Sequence, residues 1–357
     1  MKKIFKILLI ILLALLLGLL ALFLYIVLTE YKPESVEDVE VRLTGGAQGV
    51  EAGGTLDILS WNIGYGGLGA DSDFFMDGGE NVRSADKDTV EQYVVGIRGT
   101  MDELSPDVAL LQEVDFDSSR SYGVDQSEIL RMSSDACALN YSCKFVPIPI
   151  PPIGRVESGL MTTCDGFQIA SAQRIALPCP FSWPISAANL KRCLLVSYIP
   201  VLDADTLAPT GKQLVTVDLH LEAYDDGEGR LAQATQLMDF IAGEYAKGNY
   251  VVAGGDFNQL FPGSLERYPN SKTELWAPRA LDESGLPEGF TLAYDLSVPS
   301  CRLLNQPYDP FDTEDTQYFV LDGFILSPNV RLNSVQCVDA GFQNSDHNPV
   351  MVNITLS

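Results

Sequence analysis

The sequence is short of histidine, of basic side chains and of the familiar metal and nucleophile motifs, and each shortage removes a class of function. Only two histidines occur, His220 and His347. Twenty-three Lys and Arg stand against 48 Asp and Glu, a net charge of −25. A surface this acidic repels a phosphate backbone at long range and leaves only a local basic pocket for any nucleic acid. The cysteines, Cys137, Cys143, Cys164, Cys179, Cys193, Cys301 and Cys337, have no CxxC spacing, which argues against zinc. Cys137 and Cys143 are the nearest pair should thiols be oxidised, and the odd count leaves at least one unpaired in a monomer. HExxH, GxSxG and Walker-type loops are missing, so zinc peptidase, serine hydrolase and P-loop chemistry lack support. No internal repeat or low-complexity tract stands out.

What is present begins with the N-terminus. "MKKIFK" sets three lysines ahead of an uncharged apolar run from Ile7 to Leu28. Twenty-two helical residues span roughly 33 Å, enough for the hydrocarbon layer of a bilayer. No small-residue cleavage site is obvious before Glu30-Tyr31-Lys32, so a signal anchor is expected rather than a cleaved leader. The lysines favour a cytoplasmic amino end and place the remainder outside the membrane. Residues 1–29 are thus read as a basic end and transmembrane anchor. Residues 30–54, charged and then glycine-rich without sustained periodicity, are read as a tether. One α/β domain is expected over 55–357.

Within that domain short apolar runs repeatedly end in polar groups. "TLDILSWN" reaches Asn62, and "DVALLQEVD" reaches Gln112 and Glu113. "QLVTVDLHLEAYD" sets Val215, Val217, Leu219 and Leu221 on one face and Thr216, Asp218, His220 and Glu222 on the other. "NYVVAGGDFN" leads to Asp256 and Asn258, and "QYFVLDGFILS" holds Asp322 inside an apolar strand, where a carboxylate needs a partner such as histidine. "NSDHNPVMVNITL" reverses the order, with Asp346 and His347 at the strand's entry. Helical spacing of Val90, Val94, Ile97 and Met101 predicts a buried stripe ending before Ser105-Pro106. Leu231, Ala234, Leu237 and Ile241 predict a second, with Gly248 as its C-terminal cap.

Taken singly these residues have plainer readings: Asn62 and "GDFN" as turns, Glu113 as a solvated strand end, His220 as a satisfied strand histidine. Together they supply oxygen ligands for a hard cation, two imidazoles, and amides that donate to phosphate. Such a set suits phosphoester hydrolysis, where positioning and charge stabilisation dominate.

In order, "WN", "LLQEVD", "DLHLEAYD", "GGDFN", "LDGFIL" and "SDHNPV" resemble the motifs of the endonuclease/exonuclease/phosphatase superfamily, over about Leu56 to Leu356. The resemblance implies an α/β/β/α four-layer sandwich, two facing mixed β-sheets flanked by helices, preceded here by one transmembrane helix. It implies Glu113 as the main ligand of Mg²⁺ (or Mn²⁺), with Asn62 beside it and Asp346 near the metal. It implies Asp256 and Asn258 as the pair orienting water and phosphate, and His347 as the catalytic histidine, its tautomer fixed by Asp322. His220 matches the extra histidine of the deoxyribonuclease and sphingomyelinase branches. Arg192, in "LKRCLLV", is a phosphate contact by the same likeness, while Arg120 and Tyr122 are weaker candidates near the pocket. "LDGFIL" departs from the usual "DYIF"-like segment by its glycine, and the middle region matches only loosely. The expectation is a monomeric, metal-dependent hydrolase at the outer face of a membrane, acting on a lipid or small organic phosphoester. An extracellular nuclease is the alternative, and an inactive surface binding module the second.

Overall fold

The computed structural model describes residues 2–83, 86–146, 152–183, 185–225, 227–311 and 315–357. Helix α1 (Lys2–Leu28) leads into β1 (Val36–Val39), β2 (Val41–Leu43), β3 (Val50–Glu51) and β4 (Thr55–Asn62). Helix α2 (Lys87–Leu104) precedes β5 (Val108–Asp115), and α3 (Gln126–Leu130) precedes the antiparallel pair β6 (Ser134–Val146) and β7 (Gly154–Cys164). Strands β8 (Ser171–Ala176), β9 (Cys193–Leu202) and β10 (Pro209–His220) follow, and α4 (Glu228–Ala246) connects to β11 (Tyr250–Asp256). The rest comprises β12 (Gln259–Leu260), α5 (Ser264–Arg267), β13 (Arg279–Ala280), β14 (Thr291–Ala293), β15 (Cys301–Arg302), β16 (Tyr318–Phe319), β17 (Asp322–Leu326), β18 (Val330–Cys337) and β19 (Val350–Leu356).

Two mixed sheets result, one ordered β1-β8-β9-β10-β11-β17-β14 with β3 beside β9, the other β18-β19-β4-β5-β7-β6-β2. Alternation decides which side chains face which layer. Ile58, Val108 and Leu110 of one sheet meet Leu195, Val252 and Phe324 of the other in the central core. Leu59, Trp61 and Leu111 point the opposite way and pack on Val90, Val94, Ile97 and Met101 of α2, the predicted stripe. Val215, Val217 and Leu219 pack with Leu237 and Ile241 of α4. The order of layers is therefore helix, sheet, sheet, helix, as expected.

Two local features differ from the sequence reading. Residues 30–54 are not a free tether: β1 pairs with β8, β2 with β6 and β3 with β9, so this segment extends both sheets. Its strands are too short to show a periodicity, and backbone pairing holds them. In α4, Leu231 is exposed, because the first turn is given to polar contacts: Arg230 pairs with Asp225, and Gln233 accepts from the Glu222 N–H. All seven cysteines are free thiols. The expected cap does form, with Gly248 closing α4 at φ +89°, and Asp86 caps α2 by accepting from the Thr89 N–H at 2.8 Å.

Candidate active site

The site lies where the two sheets present the ends of their central strands. In parallel β10 and β11, His220 stands beside Asp256; in antiparallel β11 and β17, Asp256 stands beside Asp322. One row across the first sheet thus reads His220, Asp256, Asp322. Two glycines allow this close pairing. A Cβ on Gly254 would lie 2.4 Å from the Phe324 ring, and one on Gly255 would lie 1.9 Å from the Leu219 carbonyl oxygen.

The second sheet contributes Asn62 at the end of β4 and Glu113 from β5. Leu111 pairs with Met161 and Val114 with Gly159, so Gln112 and Glu113 together oppose only Leu160. This is a β-bulge, and Glu113 adopts φ +56° within it, a backbone state uncommon outside glycine. The bulge turns the carboxylate towards the cleft. Gln112, by contrast, points between the sheets and donates to buried Asp218 at 2.7 Å.

Asn62 Nδ2 bridges the sheets, donating to Asp256 Oδ2 at 3.1 Å and to Glu113 Oε1 at 3.3 Å. Its Oδ1 accepts from the Gly64 N–H at 3.0 Å, which fixes the amide. Asp256 Oδ1 accepts from the Asn258 N–H at 2.8 Å, and Asn258, at φ +51°, donates Nδ2 to the Leu221 carbonyl. The loop before β19 supplies Asp346 and His347. It is held by Ser345 Oγ donating to the Asn62 carbonyl and by Trp61 Nε1 donating to the His347 carbonyl, both at 2.8 Å.

His347 Nδ1 lies 2.8 Å from Asp322 Oδ2, which also accepts from Ser300 Oγ at 2.7 Å. Here is the partner that a carboxylate inside an apolar strand required. Burial would pull His347 down, but Asp322, Cys301 and Asp256 outweigh it and hold the imidazole well above its ordinary value of 6.5. His220 is the opposite case. Burial, reinforced by Arg192 and His347, pushes it well below 6.5 and keeps it neutral. Its Nε2 is 3.5 Å from Asp256 Oδ2, and His347 Nε2 is 3.8 Å from the same oxygen. One carboxylate is therefore flanked by a charged and a neutral imidazole.

Burial pushes both Asp256 and Asp346 up to about 7, with His347 acting the other way. Glu113 adds to the rise at Asp346. Carboxyl groups crowded to this degree repel one another unless a cation joins them. Ligand atoms of Asp256, Asp322 and His347 lie within 4.8 Å of one another, a spacing a metal ion fits. His347 Nδ1 is already engaged by Asp322, so the oxygens of Glu113, Asp346 and Asp256 are the better set for a hard cation. Asn62, expected beside the metal as a ligand, instead turns Nδ2 to Glu113 and Asp256 and steadies those carboxylates.

Asn62, Glu113, His220, Asp256, Asn258, Asp346 and His347 line one cavity of about 520 Å³, with Asp322 behind His347. Arg192 is on its wall, its Nη1 donating to the His220 carbonyl at 3.1 Å and its Nε 3.3 Å from Glu222 Oε2. It holds His220 from behind as well as facing the cleft. Arg120 lines the cavity too, paired with Asp115 and lying 3.8 Å over the Tyr65 ring, whereas Tyr122 is not among the lining residues. Sequence reasoning missed Asp77, Tyr224 and the apolar wall of Phe74, Phe75, Met76, Trp276 and Leu304. Tyr224 Oη donates to Asp77 at 3.4 Å, and burial raises Asp77 to about 6. The run "DFFMDGG", apolar yet without helical or strand period, was the signal available for this loop.

No protein-family model and no curated protein matches the sequence. Solved structures do match. An endonuclease/exonuclease/phosphatase from Beutenbergia cavernae DSM 12333 aligns with a TM-score of 0.56 at 15% identity, covering 85% of this chain and 72% of that one. ANGEL2, a 2',3'-cyclic phosphatase in complex with adenosine-2',3'-vanadate, aligns at 0.51 and 14% identity, covering 89% and 98%. An endonuclease/exonuclease/phosphatase from Bacteroides vulgatus aligns at 0.51 and 16% identity, covering 85% and 100%. At such identities the likeness is one of fold, and the fold agrees with the motif order of the sequence.

Proposed function

We propose that this chain, built on the endonuclease/exonuclease/phosphatase fold, is a divalent-metal-dependent phosphoester hydrolase held at the outer face of a membrane by α1. The observation that carries this reading is the convergence of Asn62, Glu113, His220, Asp256, Asn258, Asp346 and His347 on one cavity, with Asp322 behind His347.

The two imidazoles and Asp256 divide the proton work. Asp256, raised to about 7 by burial, can both lose and regain a proton near neutral pH and accepts one from water. As the water oxygen bonds to phosphorus, the opposite P–O bond breaks. His347, kept charged by Asp322, gives its proton to the departing oxygen. His220 remains neutral, and a proton on Nε2 faces the phosphoryl group. Asn258 commits one amide hydrogen to the Leu221 carbonyl and has a second for a phosphoryl oxygen. Mg²⁺ or Mn²⁺ held by Glu113, Asp346 and Asp256 would supply the positive charge that offsets charge developing on phosphorus-bound oxygens.

A lipid or small organic phosphoester is favoured over nucleic acid. The net charge of −25 supports this, and so does a cavity whose outer wall is aromatic and aliphatic. The test is release of p-nitrophenol from bis-p-nitrophenyl phosphate by the full chain in detergent, with Mg²⁺ or Mn²⁺ and then with EDTA. Metal-dependent release lost in His347→Ala is expected. Silence on that reagent and on phospholipid, sphingomyelin, inositol phosphates, DNA and RNA would leave a binding module. Cleavage of DNA alone would make the protein a nuclease.

A further inference from the structure

The anchor helix and the cavity wall meet on a single stretch of chain, from Phe181 to Arg192. At one end of it, Trp183 packs edge-on against Phe23 of α1, with ring centroids 5.3 Å apart. Phe23 precedes the end of α1 by five residues, or about 7.5 Å along the axis, which is interfacial depth for a helix that crosses a bilayer. Trp183 and Ile185 are exposed beside it. At the other end of the stretch, Lys191 Nζ binds Glu30 Oε1 at 3.0 Å, just past the helix, and also donates to the Ser186 carbonyl. Leu190 and Arg192, on either side of Lys191, face the cavity, as does Phe181.

The exit of the helix is also fixed. Buried Arg174 donates to the Lys191 carbonyl at 2.7 Å and to the Glu34 carbonyl at 3.4 Å, and its guanidinium lies 5.9 Å from the Tyr31 ring. With β1 paired to β8 immediately afterwards, little slack separates membrane and domain. The cavity therefore has a set orientation, with the Phe181–Arg192 side at the bilayer.

From this geometry, and resting on the hydrolase reading above, we propose that the cavity takes an amphiphilic phosphoester directly from the leaflet at the C-terminal end of α1. The phosphoryl group reaches Asp256 and His347. The apolar portion lies against Phe74, Met76, Trp276 and Leu304, while Trp183 and Ile185 seat the mouth in the interface. A cavity of about 520 Å³ exceeds what a bare phosphate fills, and its apolar wall suits a hydrocarbon portion carried beside the phosphoryl group. An apolar chain that moves from bilayer to cavity without crossing water avoids the main cost of its extraction.

The experiment uses the full chain in phosphatidylcholine vesicles with Mg²⁺ and two esters with the same leaving group, hexadecyl p-nitrophenyl phosphate and methyl p-nitrophenyl phosphate. The hexadecyl ester should turn over at least ~10²-fold faster at equal bulk concentration, the lower end of what confinement to one surface supplies. The double variant Trp183→Ser, Ile185→Ser, at two residues that do not line the cavity, should lose most of that advantage and keep methyl-ester turnover. Quenching of tryptophan fluorescence by lipid spin-labelled near the headgroup should fall in Trp183→Phe. Methyl-ester hydrolysis with no preference for the long chain, or a preference untouched by the double variant, would overturn this inference and leave the hydrolase reading standing. Hydrolysis of neither ester removes both.

Discussion

Asp322→Asn is the perturbation that bears most directly on the proposed chemistry. The carboxylate is 2.8 Å from His347 Nδ1 and accepts from Ser300 Oγ, and an amide of nearly equal volume keeps the packing while deleting the charge. A hydrogen bond to a charged group contributes ~1.5–3 kcal/mol. At 1.36 kcal/mol per unit, its loss lowers the His347 pKa by roughly one to two units. With burial then less opposed, the neutral form of the imidazole gains ground. Turnover should fall by about 10²- to 10⁴-fold, the usual worth of a positioned acid. The alkaline limb of the rate profile, which needs protonated His347, should move to lower pH by the same one to two units. The wild-type stability profile has a defined sign as well. A histidine raised in the folded state stabilises fully below 6.5, and that contribution is lost as pH rises through its folded value; the variant should lack this slope. Imidazole ¹⁵N titration reads the shift directly, because the chain has only two histidines and His220→Asn assigns them. A His347 that titrates unchanged in Asp322→Asn would refute the reasoning.

Further outcomes follow from the same site. Glu113→Gln should keep the circular dichroism of the parent, lower metal-dependent turnover by at least ~10²-fold and abolish any rise in Tm on adding Mn²⁺; a retained rise would remove Glu113 from the ligand set. Asp256 and Asp346, raised from 3.8 to about 7, stabilise the metal-free fold below 3.8, and this is lost as pH rises through about 7. Metal binding needs both ionised, so stabilisation by Mn²⁺, about 2.7 kcal/mol at a hundred times Kd, should grow between pH 5 and 8. A pH-independent metal effect on Tm would count against this ligand set. Gly255→Ala forces a methyl to within 1.9 Å of the Leu219 carbonyl oxygen, so β10 and β11 must part. A loss of ~1–3 kcal/mol in urea unfolding is expected, with kcat falling because Asp256 is displaced; an unchanged midpoint would reject it.

The layered fold was legible because its signals are periodic and long. The stripe of α2, the two faces of β10 and the apolar run of β11 each repeat the same instruction over several residues. The candidate set was legible for a different reason, since most of its polar groups close or open a strand. What stayed hidden depends on contacts between distant segments. Nothing local distinguishes Glu113 in a bulge from a glutamate in a regular strand, because the extra residue exists only relative to Met161 and Gly159. Strands β1 and β2 have three or four residues each and owe their form to β8 and β6. Arg192 looked like a simple phosphate contact, yet Glu222 and the His220 carbonyl also hold it.

The place of β19 has a consequence for how the molecule is made. It lies between β18 and β4, and Thr55 meets Thr355 across a sequence separation of 300 residues. Until residues 350–356 arrive, β4 has β5 on one side and an open edge of Leu56, Ile58 and Ser60 backbone on the other. Such an edge invites pairing with other chains, and closing so long a loop is slow. His347 is delivered by the same late event, so a growing chain acquires its sheet and the histidine of its cleft together. Synthesis that outpaces this closure should depend on a holding chaperone. A chain stopped at residue 349 should aggregate and show no cooperative thermal transition; a soluble, cooperatively melting product would show that β4 tolerates its open edge.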